Sequence, residues 1–203
     1  QMCIRDSVME VMDELGLADR LLELRHTKLS RINLQTTNGP LLVAPFDRLR
    51  TRFPYITFMP QTEFLTFITT EAQRYPSFKL IMGARVEELI EEDGVVRGVR
   101  YRHDGWYDVR ARLVIGADGR FSRVRKLAGI EPIKTSPPMD VLWFRLPRVP
   151  SDPEEVQGRV QNGRFIALLN RFDHWQCAYI IPKDSYAEIR AKGLPAFRHS
   201  LAE

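Results

Sequence analysis

Gly116-Ala117-Asp118-Gly119 sets one carboxylate between two glycines, with Ser122 and Arg125 following close behind. Leu113-Val114-Ile115 precedes the turn and is wholly apolar. That order runs from a buried strand into a tight turn and then into the start of a helix. Glycines at 116 and 119 let the backbone bend sharply and approach a ligand. Asp118 stands where a carboxylate accepts hydrogen bonds from a ribose hydroxyl or holds local backbone amides. Ser122 is a good N-cap or first-turn residue. The helix start offers free N–H groups and partial positive charge, which suit a pyrophosphate. Arg120, Arg123 and Arg125 add donors that grip phosphate in a fork.

Other chemistries find less support. The four histidines, His26, His103, His174 and His199, are scattered and accompany no Ser or Cys nucleophile motif. Cys3 and Cys177 are the only cysteines, and neither lies in a Cys/His cluster. Zinc and a disulfide scaffold are therefore not expected, and a reducing, cytoplasmic setting is. Cys177 reads as a small buried apolar residue.

Several elements must position the turn. Val8 to Leu24 reads as helix broken at Gly16, with Val8, Val11, Met12 and Leu15 on one face. Lys28 to Phe46 changes to a period of two: Leu29, Ile32 and Leu34 are apolar, Asn38-Gly39 predicts a hairpin turn, and Leu41, Leu42 and Val43 form the return strand. Pro60 opens a helix whose buried face is Phe64, Leu65, Phe67, Ile68 and Ala72. Phe78–Met82 is expected to be a strand. Val86–Glu91, Val95–Tyr101 and Trp106–Val109 follow as a meander through Asp93-Gly94 and Asp104-Gly105. This meander feeds Leu113–Ile115, expected to lie in the middle of a sheet. Beyond the prolines at 132, 137 and 138 come strands at 141–146, 165–170 and 174–181, then helices at 184–192 and 195–202.

At 203 residues the chain holds one large domain or two small ones. The 30 basic and 26 acidic residues are interspersed, and no basic stripe carries interleaved aromatics. Nucleic-acid binding is not expected. No apolar run has the length of a membrane helix, so stable membrane insertion is not expected either. Residues 1–7 lack periodicity and read as an artefact outside the fold. The chain as a whole reads as an internal fragment of a longer protein.

The Gly116–Arg125 pattern is similar to the Asp-Gly motif of class A flavoprotein monooxygenases, the family of para-hydroxybenzoate hydroxylase and the ubiquinone-biosynthesis hydroxylases. Pro60-Gln61-Thr62-Glu63-Phe64-Leu65 resembles the start of the family helix whose glutamine contacts the flavin, here Gln61. The resemblance spans roughly Val8 to Ala202. It implies a mixed α/β and α+β fold: part of an FAD-binding Rossmann-like domain with a β-meander (8–24 and 60–130), plus part of a mixed-sheet substrate domain (25–59 and 131–203). It implies FAD bound through Gln61, Gly116, Asp118, Gly119, Ser122 and Arg125. NADH or NADPH is the implied co-substrate, and the partner is a small, aromatic or related substrate that receives one oxygen atom. Alternation sets Trp143 and Arg145 opposite Phe144, making those two the substrate-side candidates. No catalytic base is assigned. The family's G-x-G-x-x-G and Gly-Asp motifs do not occur in the 203 residues, so the chain alone is expected to be inactive. A related flavoprotein reductase, dehydrogenase or halogenase, or a non-catalytic ligand-binding module, remains open as an alternative.

Overall fold

The computed structural model describes residues 2–4, 6–133, 135, 137–153 and 156–202. In chain order the elements are β1 (Met2–Ile4), α1 (Asp6–Glu14), α2 (Ala18–Leu22), β2 (Thr27–Leu29), β3 (Arg31–Thr36), β4 (Gly39–Pro45), β5 (Ile56–Met59), α3 (Gln61–Ala72), β6 (Arg85–Glu92), β7 (Val95–Arg102), β8 (Trp106–Arg110), α4 (Arg123–Leu127), β9 (Met139–Pro147), β10 (Gln157–Gln161), β11 (Arg164–Asn170), β12 (His174–Pro182) and α5 (Tyr186–Ala202). They form two compact units, Gln1–Ala72 with Pro137–Glu203, and Gln73–Ser136.

The first unit holds the hydrophobic core. Met9, Met12, Ala18, Leu21, Phe53, Met59 and Phe64 are buried together, with Phe67 and Ile68 packed against them. Each large side chain so buried contributes about 1.5–3 kcal/mol. The inward stripe of α1 is thus Met9 and Met12, whereas Val11 and Leu15 of the expected face are exposed. Leu65 of α3, expected inside, is also exposed. A helix buries only the stripe its neighbours cover, and those neighbours lie far off in sequence. Arg20 of α2 makes a two-point ion pair with Glu71 of α3, whose side chain is only 7% exposed.

Two sheets complete this unit. β1, β5 and β2 form one, with β5 central. Met2–Ile4, set outside the fold on sequence grounds, pair with Met59, Phe58 and Thr57 of β5. The larger sheet runs β4-β3-β10-β11-β12-β9, antiparallel except for the β10–β3 pair. Its Asn38-Gly39 hairpin is as expected, while β10 was not legible in its polar sequence. Phe144 of β9 and Tyr179 of β12 meet Phe197 of α5 edge-on, at ring centroid distances of 5.4 and 5.8 Å. The helical segments expected at 184–192 and 195–202 are one element interrupted at Gly193.

The second unit is the β6-β7-β8 meander followed by the Asp118 turn and α4. No apolar side chain in it is buried among the described residues. Cross-strand polar pairs hold it instead. Arg100 of β7 reaches Glu88 of β6 at 3.1 Å and Asp108 of β8 at 2.7 Å, and Tyr101 stacks on Tyr107 at 5.4 Å. Two expected strands are absent. Phe78–Met82 is an exposed loop, and Leu113–Ile115 has no assigned strand, with Leu113 73% and Ile115 77% exposed. A strand persists through its ladder, and no described strand lies beside either segment.

Candidate functional site

The turn after Ile115 is built around the Asp118 carboxylate. Its Oδ1 accepts the Ser122 hydroxyl, and its Oδ2 accepts the backbone N–H groups of Arg123 at 2.6 Å and Val124 at 3.2 Å. Ser122 Oγ in turn accepts the Arg125 N–H at 3.0 Å, which makes Ser122 the N-cap of α4. Gly119 has a φ of 83°, a left-handed conformation that glycine adopts freely. A Cβ on Gly116 would meet Val124 Cβ and Cγ1 at 3.0 Å, so a glycine there lets α4 close onto the turn. The structure therefore brings Gly116, Asp118, Gly119, Ser122 and Arg125 together in one cap.

The Ser122 hydroxyl is the largest influence on the Asp118 carboxyl; desolvation comes next and opposes it, and the Val124 and Arg123 amides add to the hydroxyl, so that the group is pulled down to about 2. Asp118 is ionised at neutral pH. The expectation of free helix N–H groups is corrected here. The first three amides of α4 are taken by Asp118 and Ser122, and the five-residue helix has little dipole to offer. Arginines of this segment are also engaged: Arg123 pairs with Glu87, and Arg125 Nη2 donates to the Arg120 carbonyl at 3.2 Å.

Capacity for a ligand remains. A carboxylate offers about four lone-pair sites, and Asp118 accepts from three protein donors. The Nε atoms of Arg123 and Arg125 are buried with no hydrogen-bond partner. A sugar or ribityl hydroxyl fits the first feature, and a phosphate oxygen fits the second.

Gln61 and Arg145 lie in the other unit and share a cavity there. Gln61 is the first residue of α3, and Arg145 lies on β9 opposite Gln176 of β12. The cavity measures about 600 Å³ and is also lined by Arg25, Arg171, Phe172 and Gln176. Arg171 is buried, donating from Nε to Gln176 Oε1 at 3.0 Å and from Nη1 to the Met59 carbonyl at 3.3 Å. Amide edges, guanidinium donors and the rings of Phe172 and His174 suit a planar heteroaromatic such as a flavin ring, with the Glu63 and Asp173 carboxylates also on the wall, and the volume is that of an ordinary small-molecule site. Trp143, 52% exposed, lines a separate cleft of about 280 Å³ with Phe144, Leu194 and Phe197. Trp143 and Arg145 are thus not brought into one pocket. Arg25, Arg171, Phe172 and Gln176 were not singled out from the sequence. Arg171-Phe172-Asp173 reads there simply as a strand connection, and no spacing links it to Arg25.

Cys177 is fully buried, and burial pushes its thiol up to about 11. No metal-ligating cluster occurs among the described residues. No described helix is long and apolar enough to cross a membrane.

The profile of the FAD binding domain family matches residues 2–199. The chain belongs to this family, and the resemblance to class A FAD-dependent monooxygenases holds. Among curated relatives, 6-methylpretetramide 4-monooxygenase of Streptomyces rimosus is 30% identical over 186 residues, 90% of this chain and 44% of the relative. Digeranylgeranylglycerophospholipid reductase 1 of Methanococcoides burtonii is 47% identical over 53 residues, 26% of this chain and 13% of the relative. Among solved structures, P. aeruginosa PqsL in complex with 2-aminobenzoylacetate superposes with a TM-score of 0.77 at 19% identity, covering 93% of this chain and 52% of PqsL. The chain thus spans less than half the length of the first relative and about half that of PqsL.

Proposed function

We infer that this chain is part of an FAD-dependent monooxygenase that uses NADH or NADPH and hydroxylates an aromatic or related small molecule. The observation that carries the reading is the Asp118 turn, where a carboxylate ionised at neutral pH keeps acceptor capacity within a chain matched over residues 2–199 by an FAD-binding family. Bound FAD supplies the redox chemistry, taking reducing equivalents from NAD(P)H and delivering one oxygen atom of dioxygen to the substrate. The protein's part is binding and orientation. Asp118 accepts a hydroxyl of the cofactor, with Gly116, Gly119 and Ser122 holding that carboxylate in place. Arg125 Nε donates to its phosphates, and the Gln61 side chain contacts its ring or ribityl chain. Residues 8–24 and 60–130 serve the cofactor, and 25–59 with 131–203 serve the substrate, Arg145 at the Gln61 cavity and Trp143 at the neighbouring cleft. The monooxygenase relative and the neighbour solved with 2-aminobenzoylacetate support a small organic substrate. The cysteine content supports a cytoplasmic setting.

The test is purification of the protein from its complete reading frame. The expected result is a yellow flavin spectrum, and oxygen uptake on adding NADH or NADPH with a phenolic substrate, yielding a hydroxylated product. A colourless protein that takes up no added FAD sinks the reading. The reductase relative favours one second reading, a flavoprotein reductase. NAD(P)H-dependent reduction of an added acceptor without oxygen uptake would select it.

A further inference from the structure

Phe172 sits in a conformation that phenylalanine rarely adopts. Its φ is 72°, in the left-handed region. Among the described residues, the other non-glycine positions with positive φ are Asp93, Asn162 and Asp184, whose short polar side chains tolerate it. A bulky aromatic held there is strained, and such strain persists only where the surroundings over-determine it. Within the turn, the Phe172 N–H donates to Oδ1 of buried Asn170 at 2.8 Å, and the Asp173 N–H donates to the Arg171 carbonyl at 3.0 Å. Those bonds fix the N–H groups. The carbonyls of Phe172 and Asp173 are held from outside the turn, both by Arg148.

Arg148 directly follows β9. Its backbone N–H donates to the Asp173 carbonyl and its Nη1 to the Phe172 carbonyl, each at 3.3 Å. Its Nη2 donates to the Asp152 and Pro153 carbonyls, each at 3.1 Å. The guanidinium carbon stands 5.4 Å from the ring centroid of buried Trp175. Trp175 in turn donates from Nε1 to Asp152 Oδ2 at 2.9 Å, and the Val149 N–H donates to the same oxygen at 3.0 Å. One planar fork thus ties the Phe172 turn to the 149–153 loop, and that loop is anchored on a buried indole. A guanidinium can bridge the two because its donors diverge in fixed directions. An ammonium is a single point of attachment.

Arg148 does not itself line the Gln61 cavity, whereas Arg171, Phe172, Asp173 and His174 of the turn do. The Phe172 ring centroid lies 3.8 Å from the Arg25 guanidinium carbon, and Asp173 Oδ1 meets His174 Nδ1 at 2.8 Å. A ring, a carboxylate and an imidazole of the wall therefore depend on one strained turn. We propose that Arg148 is a positioning residue that, from outside the Gln61 cavity, holds Phe172 left-handed and so fixes the wall against which a planar ring lies. This rests on reading the cavity as the flavin-ring site. Without the clamp Phe172 relaxes to negative φ, and its ring and the Asp173–His174 edge leave their places.

The test measures backbone conformation and ring binding in the 203-residue chain. The one-bond Cα–Hα coupling of residue 172, read by NMR, reports the sign of φ. Lumiflavin, a flavin ring with neither phosphate nor ribityl chain, is the binding probe, followed by quenching of its fluorescence. The wild type is expected to show positive φ. Arg148→Lys is expected to show negative φ and to bind lumiflavin about tenfold more weakly, the scale of one lost charge-assisted hydrogen bond. Asparagine accepts positive φ. In a Phe172→Asn background, Arg148→Lys should therefore leave both the φ at 172 and the weaker lumiflavin affinity unchanged, a cancellation that a general structural role of Arg148 does not produce. Negative φ in the wild type, a φ that Arg148→Lys leaves positive, or an undiminished effect in the Phe172→Asn background overturns the proposal. If circular dichroism shows Arg148→Lys alone to be misfolded, the double variant decides: recovery of the fold supports the clamp, and no recovery overturns it. A wild type that binds no lumiflavin, with φ still switching on Arg148→Lys, rejects the flavin reading of the cavity and leaves the clamp standing. Lumiflavin binding indifferent to Arg148→Lys rejects this inference alone.

Discussion

Asp118 carries a charge whose purpose in this fold is first local: it closes the start of α4 through Ser122 and two amides. Its folded carboxyl titrates at about 2, below the about 3.9 of an unfolded aspartate. A carboxyl depressed on folding stabilises above its unfolded value and loses that contribution as pH falls through its folded one. The α4 cap is therefore expected intact at pH 5 and above and to open on approach to pH 2. The carboxyl carbon shift of Asp118, followed by NMR against pH, checks this, and a midpoint near 4 would contradict it. Ser122→Ala removes both the cap acceptor for the Arg125 amide and the hydroxyl that most depresses Asp118. We expect a loss of about 1 kcal/mol, measured by urea denaturation, typical of an N-cap serine. The Asp118 midpoint should move up in the same variant. These roles were half legible beforehand. The sequence places a serine at the N-cap and a carboxylate in the turn, but does not say that the carboxylate would consume the helix amides.

At the scale of elements, ion pairs and hairpins do different work. Arg20 and Glu71 join α2 to α3 across an unequal environment, with side-chain exposures of 41% and 7%. Arg20→Ala takes a two-point cationic partner from a buried carboxylate, whereas Glu71→Ala leaves a guanidinium that can turn to water. Thermal melts should show the larger drop in Tm for Arg20→Ala, and equal drops would mean that the pair is not asymmetric in burial. The hairpins at Asn38-Gly39 and Asp93-Gly94 were readable because turn chemistry is local. β5 and β10 were not. Ile56–Met59 is too short to show a period, and Gln157–Gln161 has a polar sequence that becomes a strand through its ladders to β3 and β11. The apolar run Leu113–Ile115 misled in the other direction, since it has a strand's composition without a described neighbour to pair with.

The whole molecule distributes its stability unevenly. Both buried clusters lie in the unit containing Phe53, Met59 and Leu169, while the unit containing Asp118 has polar cross-strand pairs and no buried apolar side chain among the described residues. Local opening free energy follows buried contact. Amide hydrogen exchange should therefore be faster in β6–β8 and α4 than in β5 and α3, and adding FAD should slow exchange at Arg123–Arg125. Uniform protection across both units would contradict this account. The sequence by itself determined the local vocabulary: the Asp-Gly turn, the hairpins, the capping serine and the family these residues resemble. Each of these depends on neighbours within a few residues, where chemistry and spacing are enough. Tertiary structure alone decided which apolar faces are buried, that the α4 amides are already spent, and that Arg25 and Phe172 meet beside Gln61 and Arg145. Those outcomes depend on residues far apart in the chain, which only the packing of the sheets and helices brings together.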